Sequence, residues 1–256
     1  MIYLSAFIVI LIISATSLVS AYQDYENDVN ANDISNGVTV VKVLIYSGDG
    51  SMEESVAGIK ACIDESNNMN LTPGYYFEYD TTGTINSNTL SSYDVLIMPG
   101  GSTETYLNSN NIDADAIKQF VNSGNGYLGI CAGAYSASNS IDGLYSGWGL
   151  ASGVNAKNVN YEGLLSISTT SSGSVLSDES TLNLHHQNGP AMYSTSSDVY
   201  SFACYADNKT GYQDYSAIMG ENYGSGRVIL CGSHPEMDPQ DTELLTKMIL
   251  WSINKS

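Results

Sequence analysis

Basic residues are scarce in this sequence: 8 Lys and Arg stand against 27 Asp and Glu, a formal net charge of −19. Nucleic acid is therefore disfavoured as a partner, because phosphate binding needs a basic face. Anionic lipid surfaces are disfavoured for the same reason, and the acidity supplies solubility. Cysteine is scarce too, limited to Cys62, Cys131, Cys204 and Cys231. These four lack the spacing of a disulfide framework. No CxxC pair and no His/Cys ligand cluster appears, so no metal is expected. No cofactor and no internal repeat is expected either. After residue 21 no apolar run is long enough to span a bilayer.

What is present begins with residues 1–21. Ile2 to Val19 carries no charged side chain, and Val19-Ser20-Ala21 offers small residues for cleavage. This predicts a secretory signal peptide, with an uncleaved membrane anchor as the alternative because no Lys or Arg precedes the run. Residues 22–37 are acidic and Asn-rich and read as a disordered linker. The location implied is secreted or extracytoplasmic.

From residue 38 to 254 the pattern is that of one α/β domain. Val38 to Tyr46 is a β-branched run, followed by the loop Ser47-Gly48-Asp49-Gly50-Ser51. Met52, Val56, Ile59 and Ile63 then recur at helical spacing. Strands are predicted at Tyr75–Tyr79, Asp94–Met98 and Tyr127–Ile130, and Thr81 to Ser92 reads as polar turn material. A helix is predicted over Asp113–Ser123. The alternation argues for a doubly wound, mostly parallel sheet with helices on both faces. Short alternating runs at Leu164–Ser168, Leu182–His186 and Val199–Tyr205 read as an antiparallel extension. Tyr215–Met219 and Arg227–Cys231 suit a hairpin. A closing helix is predicted to start at Asp238-Pro239.

Three loops combine unusual chemistry, each after a predicted buried strand: Pro99-Gly100-Gly101, Cys131, and His234-Pro235-Glu236. Loops at the carboxyl ends of parallel strands share one rim, where ligands bind. Gly48–Ser51 would join them. In Gly129-Ile130-Cys131-Ala132-Gly133-Ala134 a strand runs into a helix through small residues, the pattern of a nucleophile elbow. Cys131 is the candidate nucleophile, His234 its proton acceptor, and Glu236 the group that orients the imidazole. The N–H groups of Gly101 and Ala132 are candidates for an oxyanion hole. Gly48, Gly50, Gly100, Ser102, His186 and Asn188 are candidate substrate-binding residues. His185 and His186 point to opposite faces of a strand and cannot share a metal.

These segments, together with Val43 to Ser51 and Gly226 to Glu236, resemble the class I glutamine amidotransferase-like superfamily. Within it they look like the domain at the N-terminus of eukaryotic biotin-protein ligases. The resemblance covers residues 38–254. It implies a flavodoxin-like three-layer α/β/α fold with Cys131, His234 and Glu236 as a triad. Ala132 departs from a related protease and chaperone branch, which has His after the Cys. Ligase activity and biotin binding are not implied, since no ligase module is seen. The function expected is a cysteine hydrolase acting on a small-molecule or peptide-like amide. The alternative is a non-catalytic binding or scaffold domain with a relic triad.

Overall fold

The computed structural model describes residues 37–255. The expected signal peptide or anchor, and all of the expected linker except Gly37, lie outside the described residues. The described residues form two units. In the smaller, residues 37–40 with Gly74–Tyr76, Thr39 N–H donates to the Gly74 carbonyl at 2.8 Å. The larger holds the rest.

The strands are β1 (Thr39–Tyr46), β2 (Tyr75–Thr82), β3 (Val95–Met98), β4 (Gly126–Ile130), β5 (Ser138–Ile141), β6 (Tyr145–Ser146) and β7 (Ala151–Lys157). They continue with β8 (Glu162–Thr169), β9 (Thr181–Gln187), β10 (Ala191–Tyr193), β11 (Val199–Tyr205), β12 (Ser216–Tyr223) and β13 (Gly226–Cys231). The α-helices are α1 (Glu53–Met69), α2 (Ser87–Leu90), α3 (Thr103–Asn108), α4 (Ala114–Asn122), α5 (Ala132–Ala137) and α6 (Thr242–Ser252).

The central strands are parallel and lie in the order β1-β3-β4-β13. Val43 faces Val95, Ile97 faces Leu128, and Leu128 faces Ile229. These strands are continuous apolar runs because both faces are covered. Leu96, Met98, Val228 and Leu230 pack with Ile117, Phe120 and Val121 of α4. The alternate residues Ile229 and Cys231 are equally buried, as are Ile59, Cys62 and Ile63 of α1 and Leu245 and Met248 of α6. The parallel sheet places the carboxyl ends of β1, β3, β4 and β13 side by side, so the four loops picked out in sequence share one rim. Beyond β13 the sheet turns antiparallel through β12, reached by a hairpin whose last pair is Tyr223–Gly226. β10, β7, β5 and β6 extend it, while β11, β8 and β9 branch from β12.

Several local expectations are corrected. The stretch read as polar turn contains the end of β2 and the short helix α2. Asn86 starts that helix by accepting from the Asn88 and Thr89 N–H groups, so its side chain is a cap rather than a turn former. α3 was not anticipated; Ser102 caps it through Thr105 N–H. The closing helix starts at Thr242, not at Asp238, because Asp241 supplies the cap by accepting from Leu244 N–H at 3.0 Å. The strands β5, β6, β7 and β10 also went unread, since their Ser, Asn and Gly residues dilute the alternation. All four cysteines are free thiols. Among the described residues no helix is long and apolar enough to cross a membrane.

Candidate functional site

β4 delivers Cys131 to the rim, and α5 leaves directly from it. Cys131 has φ 51° and ψ −103°, a left-handed conformation that a side chain rarely adopts. Such a residue costs about 1–3 kcal/mol and is held only when its surroundings fix it. They do so here. Cys131 N–H donates to the Cys231 carbonyl at 2.8 Å, and Tyr135 N–H donates to the Cys131 carbonyl at 3.0 Å. The flanking glycines permit the bend: a Cβ on Gly133 would lie 2.1 Å from the Met98 carbonyl oxygen. The Cys131 thiol donates to the Gln187 carbonyl at 3.4 Å.

His234 and Glu236 follow β13. The backbone holds the loop in place: His234 N–H donates to the His185 carbonyl, and Met237 N–H to the His234 carbonyl. His234 Nδ1 donates to Glu236 Oε1 at 2.8 Å, with both side chains wholly buried. Burial opposes charge on the imidazole. The Glu236 carboxylate outweighs it, aided by the Cys131 thiol, and His234 is pushed up to about 10. The second ring nitrogen, Nε2, is buried and has no hydrogen-bond partner among the described residues. A buried imidazole with one nitrogen fixed and the other unpaired beside a thiol can exchange a proton with that thiol.

Ser55, on the first turns of α1, was not singled out in the sequence. Its Oγ donates to Glu236 Oε1 at 2.6 Å and accepts from Gly100 N–H at 3.0 Å. One buried hydroxyl thus ties the carboxylate to the Gly100–Gly101 loop. Nearby, Gly58 lets α1 approach: a Cβ there would lie 2.2 Å from the Glu236 carbonyl oxygen. Gly100 likewise makes room for the imidazole, since its Cβ would lie 2.5 Å from His234 Cε1. Gly100 therefore belongs to the support of His234 and is not in the cavity wall.

A cavity of about 250 Å³ opens at Cys131. Its wall is lined by Met52, Gly101, Thr103, Tyr135, Asn158, Gln187 and Asn188. Gly101 and Asn188 are the sequence candidates that reach this wall along with Cys131. Among the described residues no backbone carbonyl takes the N–H of Gly101 or Ala132. Gly48 and Gly50 are not in the wall; they shape the loop, with Gly50 at φ 85° and its carbonyl accepting from Ser102 N–H. Ser102 is the α3 cap. His186 lies wholly buried behind the site, hydrogen-bonded through Nδ1 to Ser233 Oγ at 3.1 Å and edge-on to Tyr205. Burial, with the fields of His234 and His185, lowers it to about 4. Its neighbour His185 instead sets its ring 6.2 Å from that of His234. Tyr135, Asn158 and Thr103 had no sequence signal, because only the folded chain brings them to Cys131.

A family model described as "Biotin-protein ligase, N terminal" matches residues 41–250. No curated protein matches the chain. Among solved structures the chain is similar to a protein assigned as a GMP synthase component from Thermoplasma acidophilum. Identity is 14%, covering 82% of this chain and 93% of that one, at a TM-score of 0.56. A ThuA-like protein from Bacteroides uniformis is 17% identical over 84% of this chain and 92% of its own, at 0.57. PurLQS from Thermotoga maritima is 15% identical over 84% and 97%, at 0.54. At such identities the likeness is one of fold.

Proposed function

The chain belongs to the biotin-protein ligase N-terminal family and has a glutamine amidotransferase-like fold; from that premise we propose that it is a cysteine-nucleophile hydrolase of an amide or peptide-like bond, exported from the cytoplasm. The observation that carries this reading is the buried His234–Glu236 pair beside Cys131 on its strained elbow. Export rests on the uncharged apolar run Ile2–Val19.

In this reading Cys131 gives its proton to His234 Nε2, and Glu236 holds the resulting imidazolium. The thiolate sulfur attacks the substrate carbonyl carbon. The carbonyl oxygen takes the negative charge and is met by the Gly101 and Ala132 N–H groups. The C–N bond then breaks, and His234 returns its proton to the leaving amine. Water, deprotonated by His234, attacks the thioester carbon; the C–S bond breaks, the carboxylic acid leaves, and His234 returns the proton to the Cys131 sulfur.

One observation favours the second reading, a non-catalytic binding domain. The Cys131 thiol has the Gln187 carbonyl as an acceptor at 3.4 Å, which can hold its proton on the sulfur. The hydrolase reading requires that proton to pass to His234 Nε2 instead. The test is the alkylation rate of Cys131 across pH in the intact chain and in His234→Ala, with Cys131→Ser as the blank. A hydrolase shows fast alkylation at neutral pH that His234→Ala removes. Rates like those of a free thiol in both proteins support the binding domain.

A further inference from the structure

The inference rests on the hydrolase reading and concerns what its cavity accepts. We propose that the substrate is an uncharged carboxamide, with no free carboxylate beside the reacting carbonyl, and that free amino acids and other anions are rejected.

The cavity wall supplies amides and hydroxyls. Tyr135 Oη shares its one proton among the Asn188 carbonyl at 3.1 Å and Asn158 Oδ1 and the Lys157 carbonyl, both at 3.3 Å, and accepts from Val159 N–H. Asn158 is thereby oriented by its oxygen, which leaves its Nδ2 donors for a ligand. Asn188 sits at φ 56°, and its N–H is committed to the Tyr161 carbonyl. Thr103 and Gln187 complete a wall with hydrogen-bonding capacity and no formal charge. A carboxamide, with one acceptor and two donors, matches such a wall. A volume of about 250 Å³ lies just under the usual range for ligand pockets and suits one residue-sized group.

An anion would need a cation, and the charges lie elsewhere. Lys157, next to Asn158 in sequence, sets its ammonium over the Tyr193 ring at 5.9 Å. Arg227 lies over Trp251, and Lys118, Lys209 and Lys247 are paired with Asp115, Asp207 and Glu243. None of these lines the cavity. The one cation the site can form, the imidazolium left when His234 takes the Cys131 proton, is neutralised by Glu236 at 2.8 Å. A carboxylate taken into the cavity would lose its water without gaining a partner, at a cost of several kcal/mol. The net charge of −19 also repels it on approach.

Two alkylating reagents that differ only in this group provide the test. The intact chain is treated with iodoacetamide or iodoacetate at low ionic strength, and modification of Cys131 is followed by peptide mass spectrometry. Glutathione gives the ratio for a free thiol. The expected preference for iodoacetamide exceeds that of glutathione by about tenfold or more. Thr103→Lys, which adds a cation to the wall, brings the ratio back toward the glutathione value. A ratio equal to that of glutathione, or one favouring iodoacetate, overturns the proposal while leaving the hydrolase reading intact. Failure of Cys131 to react with either reagent, or rates that ignore His234→Ala, overturns the hydrolase reading and this proposal with it.

Discussion

Ser55→Ala removes one oxygen that holds two parts of the site. The wild-type hydroxyl donates to Glu236 Oε1 at 2.6 Å and accepts from Gly100 N–H at 3.0 Å, with the side chain fully buried. A hydrogen bond to a charged group contributes about 1.5–3 kcal/mol, and a buried N–H left unpaired costs about 1–3 kcal/mol. Alanine recovers about 0.5 kcal/mol through its helix propensity, which decides little. A net loss of about 2–5 kcal/mol is expected, which a domain within the usual range of about 5–15 kcal/mol can absorb and stay folded. The effect on turnover is of similar size to the effect on folding. Gly100 is bonded to Gly101, so a loop freed by a fraction of an ångström moves a proposed oxyanion donor. A misplacement of about 1 Å can lower rate by about a hundredfold. Urea titration gives the stability, and hydrolysis of a neutral carboxamide under conditions where the variant is folded gives the rate. Ser55→Thr keeps the hydroxyl and should recover part of both. An unchanged urea midpoint with unchanged turnover in Ser55→Ala would refute this account of the link.

The two buried histidines set opposite limbs of the pH–stability curve. His234 is raised from 6.5 to about 10, so its stabilisation is complete below 6.5 and fades as pH rises through 10; His234→Gln should flatten that alkaline limb in urea titrations across pH. His186 is lowered from 6.5 to about 4, so its stabilisation is complete above 6.5 and fades as pH falls through 4; His186→Asn should flatten that acid limb. Gly58→Ala sets a helix-propensity gain of about 1 kcal/mol against an overpacking cost of about 1–3 kcal/mol, because its Cβ would meet the Glu236 carbonyl oxygen at 2.2 Å. The clash should win, giving a lower melting temperature and slower Cys131 alkylation.

The rim was legible in sequence because each strand that builds it is an apolar run ending in a residue of conspicuous chemistry. Val95–Met98 runs into Gly100-Gly101, Tyr127–Ile130 into Cys131, and Val228–Cys231 into His234. Parallel pairing then brings the three ends together without further information. Ser55 was illegible for the opposite reason. A serine early in an amphipathic helix reads as solvent-facing, and its burial depends on how α1 meets the loop after β13. The wall residues Tyr135, Asn158 and Thr103 were hidden likewise, lying in three separate elements joined by tertiary packing. The histidine pair was half legible. Strand alternation separates His185 from His186, but only packing shows that His186 turns to Ser233 and away from the cavity. Gly48, Gly50 and Ser102 read as binding residues, yet they shape backbone, since glycine loops and caps carry the same letters whether they hold a ligand or a turn.

Activation of Cys131 by His234 is read out by the rate of Cys131 alkylation at neutral pH in the intact chain and in His234→Ala. Rapid, Cys131-specific modification is expected in the intact chain and is lost in the variant. Slow modification in both, at the rate of an ordinary thiol, would contradict it.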